Sequence, residues 1–199
     1  MKKILLIIVL AGIMVFGSFA QMGNMNFGAK AGLTLGDING FEDELADEYA
    51  EYRIGLAIGG MMVMPLNEKL YLQGELMYVM KGQYYEGGGE EVTMVLDVIE
   101  LPVLVKYMAA ESIAVYGGPT IDHIMTAKID STEGEVDLKD EDLVKSMAFG
   151  LSFGAQYMMD KIIFDARYDL GLSNIVDDDS SSAPEIKMNT IYVTVGYLF

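Results

Sequence analysis

The chain has 199 residues, 52% of them apolar, and its 30 Asp and Glu against 13 Lys and Arg give a formal net charge of −17. That length suffices for one domain with a sizeable core. The absence of cysteine excludes a disulfide framework, a thiolate nucleophile and a Cys-ligated zinc site, and so acidic a chain is a poor partner for nucleic acid, whose phosphates are bound by Lys and Arg.

Residues 1–20 read as a secretory signal peptide. Lys2 and Lys3 form a basic start, Ile4 to Phe16 an apolar run, and Ser18-Phe19-Ala20 a small-x-small cleavage site before Gln21. The run is short for a membrane span. The mature chain, 21–199, is then one domain that leaves the cytoplasm. No later segment offers the roughly 18 to 20 uninterrupted apolar residues of a spanning helix.

Alternation runs through the mature part in chain order. Phe27, Ala29, Ala31, Leu33 and Leu35 share one parity, with Lys30 and Thr34 on the other. Tyr52, Ile54, Leu56 and Ile58 oppose Arg53, Gly55 and Ala57. Leu70, Leu72, Leu76, Tyr78 and Met80 oppose Gln73, Glu75 and Lys81. In the stretch from Val98 to Met108, Ile99, Leu101, Val103, Val105 and Tyr107 oppose Glu100, Pro102 and Lys106. Ile113 and Val115 then oppose Tyr116. Phe149, Leu151, Phe153, Ala155 and Tyr157 oppose Ser152 and Gln156, and Phe164, Ala166, Tyr168 and Leu170 oppose Asp165, Arg167 and Asp169. Ile191, Val193, Val195, Tyr197 and Phe199 close the chain on the apolar parity. Period-two patterning over these runs predicts about eight strands.

The connections sort by length. Three are short, at Pro65–Lys69, Ala109–Ser112 and Met158–Lys161. Four are longer or more polar, starting at Asp37, Glu86, Lys128 and Ser173, and they alternate with the short ones. Antiparallel strands would then put every short turn at one end and every long loop at the other, as in an outer-membrane barrel. Most acidic residues lie in the long connections, which are expected to be solvated rather than to bind cations.

A spanning sheet must close, because lipid offers its backbone groups no partners. The expected fold is therefore all-β, a closed antiparallel up-and-down transmembrane barrel. Its apolar parity faces lipid, and its polar parity meets in a lumen only wide enough for side chains. Lys30, Arg53, Lys81, Lys106 and Arg167 would there pair with Glu75, Glu100, Asp165 and Asp169, since isolated buried charges are costly. Pro102 suggests a bulge or local irregularity. Asp97, an acid on the apolar parity, suggests a bulge or the membrane edge. Tyr52, Tyr78, Tyr84, Tyr107, Tyr157, Tyr168, Tyr197 and Phe199 stand for aromatic girdles in a chain without Trp. The 16 Met read as apolar filler.

The run "VIELPVLVKYM" from Val98 resembles a strand motif of the PorT-like outer-membrane β-barrel family of Bacteroidetes. "AKAGLTLGDI", "YGGPTI", "DARYDLGLSNI" and the aromatic-ended "YVTVGYLF" are similar to its first, fifth, seventh and last strands. The resemblance implies an outer-membrane barrel; one member of that family supports protein secretion.

The expected function is that of a small, non-enzymatic, monomeric outer-membrane barrel. Its partners would be outer-membrane lipid and a surface or envelope protein, met through the acidic loops; no catalytic, cofactor or metal site is expected. The alternatives are an accessory component of secretion, a channel, a soluble lipocalin-like barrel, and a lipid-modifying enzyme. The last would use the one histidine, His123, with Asp122, Thr126 and Ser146 as its neighbours.

Overall fold

The computed structural model describes residues 25–39, 50–87, 90–131, 134–139, 143–177 and 186–199. The expected leader, and most of the first and last long connections, lie outside them. The strands are β1 (Asn26–Asn39), β2 (Ala50–Pro65), β3 (Leu70–Gly87), β4 (Glu90–Ala110), β5 (Ile113–Ser131), β6 (Gly134–Asp137), β7 (Met147–Met159), β8 (Ile162–Gly171) and β9 (Lys187–Leu198). Eight of them pair antiparallel in the order β4-β3-β2-β1-β9-β8-β7-β5, and β4 pairs with β5 to close the barrel. The short β6 folds back on the far end of β5, from Lys128↔Asp137 to Ser131↔Gly134.

The turns at one end are tight for chemical reasons. Asn67 accepts the backbone N–H groups of Lys69 and Leu70, both at 2.9 Å, which fixes the β2–β3 turn. Asp160 takes the left-handed conformation (φ 55°) at the β7–β8 turn, where Asp is among the residues that tolerate it.

Burial alternates along the strands as the parity predicts. Ile54, Val103, Phe153 and Val193 are exposed on the outside, while Glu75, Glu100, Lys106 and Arg167 are buried within. A belt of exposed apolar side chains this continuous has lipid, not water, as its matching solvent. One residue departs from its parity: Phe27 is 6% exposed at the start of β1.

Two local expectations are corrected, and those at Pro102 and Asp97 are met. The stretch from Glu86 is not a loop: Glu86↔Glu91 and Gly87↔Glu90 continue the β3–β4 ladder to the tip. The irregularity suggested at Pro102 is a gap rather than a bulge: the β3–β4 ladder breaks between Gly74↔Val103 and Met77↔Glu100 and resumes in the same register. The third long connection is not simply solvated, because β6 and the residues after it pack on the barrel mouth. The bulge suggested at Asp97 is present: Asp97 pairs with Thr126 and Val98 with Ile124, so Met125 is the extra residue.

The 21 residues of β4 are about twice what a tilted strand needs to cross a bilayer. From Ile99 to Tyr107 the outward residues are apolar. Past Asp97, towards the long connections, the polarity of the two faces is exchanged. The outward pairs Thr93↔Asp130, Val95↔Lys128 and Asp97↔Thr126 are largely polar, and the alternate pairs Met94↔Ile129 and Leu96↔Ala127 are apolar. The bulge lies at this changeover.

Candidate functional site in the barrel lumen

Ion pairs fill the membrane-level lumen. Arg167 on β8 is the hub: its two terminal nitrogens reach Glu75 on β3 at 2.9 Å and Glu100 on β4 at 2.7 Å. Lys30 on β1 bridges Glu75 (3.0 Å) and Asp165 (2.5 Å). Lys81 lies 2.8 Å from both Glu100 and Asp122. Among the described residues Lys106 has no carboxylate within ion-pair distance; it donates to Gln73 (3.0 Å) and Gln156 (3.1 Å). Removing one partner from such a network strands a buried charge.

Two tyrosines complete it. Tyr192 donates to Glu100 at 2.5 Å, and the Arg167 guanidinium lies 4.2 Å from its ring centre. Tyr116 donates to Asp165 at 2.7 Å. Its ring lies over Gly154, where a Cβ would come within 2.5 Å of the Tyr116 hydroxyl, so the bare backbone there makes the reach possible. Gly82 (φ +145°) meets a second requirement, a conformation that L side chains rarely adopt, with Arg53 packed beside it. Arg53 itself donates to the Lys81 carbonyl at 2.8 Å.

Towards the long connections the lumen becomes apolar. Met77, Val79, Met94, Leu96, Val98 and Ile124 meet Val144, Ile175 and Ile186 from the connecting segments in one buried cluster. Backbone bonds tie the segments into a cap. Lys145 N–H reaches the Ile175 carbonyl (2.8 Å), Asp177 N–H reaches Leu143 (2.9 Å), and Ile175 N–H reaches Ile186 (3.0 Å). Asn174 accepts the N–H groups of Val176 (3.1 Å) and Ile186 (2.9 Å).

The expected inward residues Lys30, Lys81, Lys106, Arg167, Glu75, Glu100, Asp165 and Asp169 come together here, with Arg53 at the edge. The strand alternation missed Asp122, Tyr192 and the cap. Asp122 was readable from its parity with Thr120; the cap residues show no period-two signal because their alignment is set by the strands beneath them. Of the alternative enzyme constellation, His123 and Ser146 are both exposed, but Asp122 does not join them. Asp122 is buried inward on Lys81, whereas His123 is exposed on the outer wall between Ile99 and Met147. Of the expected girdle, Tyr107, Tyr157, Tyr197 and Phe199 are exposed near the short-turn end. Tyr157 and Phe164 stack with centroids 6.4 Å apart, and Tyr197 and Phe199 lie 6.2 Å apart. Tyr78, Tyr84 and Tyr168 are half-buried, and the side chain of Tyr52 lies outside the described residues.

A closed eight-stranded barrel with an apolar exterior and a charged interior defines the architecture, and residues 19–177 match the family model of the outer membrane protein beta-barrel domain. The chain belongs to that family. This outer-membrane barrel is similar in fold to Ail, the attachment invasion locus protein of Yersinia pestis. The TM-score is 0.52 at 14% identity, covering 87% of this chain and 98% of that one. Ail in complex with the heparin analogue sucrose octasulfate matches equally well, with a TM-score of 0.52 at 14% identity over 88% and 99%. Neisserial surface protein A gives a TM-score of 0.55 at 13% identity, covering 87% and 97%. No curated protein matches the chain. The protein is a small integral barrel of the outer membrane.

Proposed function

We propose that the protein is a non-enzymatic, monomeric barrel of the PorT-like kind that works at the cell surface through its acidic loops, with outer-membrane lipid around its wall. The observation that carries this reading is the filled lumen. Ion pairs occupy its membrane-level half, and the Val144–Ile175–Ile186 cap covers the other. An eight-stranded barrel has little interior to spare, so transport through the lumen is disfavoured and interaction moves to the outer rim. The separation of Asp122 from His123 across the wall supports a non-enzymatic role.

The net charge of −17 sets the partner chemistry. Ail was crystallised with a polysulfated ligand; an acidic rim repels such polyanions and nucleic acid alike, and favours a cationic protein surface. A role beside a secretion machine is one setting for such a contact. Planar-bilayer recording together with binding of immobilised polylysine tests the reading. The expected result is no conductance step and salt-sensitive capture that weakens when Asp177, Asp178 and Asp179 are changed to Asn. Stable conductance steps, or capture indifferent to those changes, would overturn it.

A further inference from the structure

Among the lumen residues less than a tenth exposed, five carboxylates (Glu75, Glu100, Asp122, Asp165 and Asp169) face four cations (Lys30, Lys81, Lys106 and Arg167). The excess negative charge can be located. Lys30 binds Glu75 and Asp165. Lys81 is shared between Glu100 and one oxygen of Asp122. The terminal nitrogens of Arg167 go to Glu75 and Glu100. Its Nε is 3.3 Å from Asp169 but makes no aligned hydrogen bond. Among the described residues, Oδ1 of Asp122 is buried without a hydrogen-bond partner, and neither oxygen of Asp169 receives an aligned hydrogen bond, although the Ser152 hydroxyl lies beside it. Arg53 does not answer them, being half-exposed and committed to the Lys81 carbonyl.

Asp122 and Asp169 line a common cavity with Thr120, Lys81, Gly150 and Gly171. It offers about 10 Å³, roughly the space of one water. We propose that this cavity binds one small monovalent cation, of sodium size, between Asp122 and Asp169. A water alone has two hydrogens for three unpartnered carboxylate oxygens and leaves the charge uncompensated. A divalent ion would overcompensate the single excess charge and wants six or more oxygen ligands, whereas the described residues bring only two carboxylates to the cavity. The excess of one negative charge matches a singly charged ion, for which the three unpartnered carboxylate oxygens and the Thr120 hydroxyl are the protein ligands.

The test compares the heat-induced gel-mobility midpoint of the full protein in sodium chloride and in choline chloride at equal ionic strength. Binding to the folded state alone raises stability with ligand concentration. The expected result is a midpoint several degrees higher in sodium for the wild type and no difference for Asp169→Asn, which removes the charge the ion answers. If Asp169→Asn does not fold, Asp122→Asn replaces it, and the wild-type comparison still decides. Soaking crystals with thallium(I) should place an anomalous peak in the cavity. Equal wild-type midpoints in the two salts would overturn the proposal and leave the cavity to a water or a carboxyl proton.

Discussion

Between Ile99 and Tyr107, β4 points apolar side chains outward and holds Glu100 and Lys106 within; just before this stretch the same strand points Thr93 and Asp97 outward and joins Met94 and Leu96 to a buried apolar cluster. The strand is continuous through both regions, its register with β5 shifting by one residue between them; what changes is the solvent outside the wall. Lipid accepts valine and rejects charge, so the polar groups at membrane level turn inward and must satisfy one another. Beyond the membrane edge, water surrounds the wall and the ordinary burial rule returns, with the cap filling the space inside. The bulge at Met125 lies at the changeover, next to Asp97.

The comparison is broken most severely at its hub. Arg167→Met leaves Glu75 and Glu100 without their shared cation, and is expected to destabilise the barrel by about 3–5 kcal/mol, measured by urea unfolding in vesicles. On the outer wall, Val103→Arg puts a charge at membrane level and is expected to cost about 2–4 kcal/mol. Thr93→Arg, on the same face beyond Asp97, is expected to cost less than about 0.5 kcal/mol. Similar costs at the two positions would show that the membrane edge is misplaced. In the cap, Ile175→Ala is expected to cost about 2 kcal/mol, at the low end for such truncations because the segment can settle. Its signature is faster proteolysis of the connecting segments with the heat-induced mobility shift retained. The smallest effect is expected for His123→Ala, within about 0.5 kcal/mol; loss of a lipid-modifying activity in that variant would revive the enzyme reading.

The membrane-level half was legible in the sequence because a two-sided solvent imposes strict alternation. Glu75, Glu100, Lys106, Asp165 and Arg167 declare their side of the wall by parity alone. Their pairing was not legible, since which carboxylate meets Arg167 depends on the barrel's stagger, and Asp122 was passed over beside the more conspicuous His123. The cap was hidden for a different reason. Val144, Ile175 and Ile186 sit in apolar stretches of one or two residues within acidic, irregular segments, and their burial follows from the mouth they cover. The polarity inversion past Asp97 can be read from Thr93, Met94, Leu96 and Asp97, but only once the membrane edge is located.

Because the chain has no cysteine, single substitutions along β4 report the surroundings of each face without interference. The decisive measurement is labelling of Val103→Cys, Leu104→Cys and Thr93→Cys in vesicle-embedded protein with one lipid-soluble and one water-soluble maleimide. The expected result is that the lipid-soluble reagent alone labels Val103→Cys and the water-soluble one labels Thr93→Cys. Leu104→Cys is expected to react with neither until the protein is unfolded. Rapid labelling of Val103→Cys by the water-soluble reagent in the folded protein would contradict the account and place water where lipid is required.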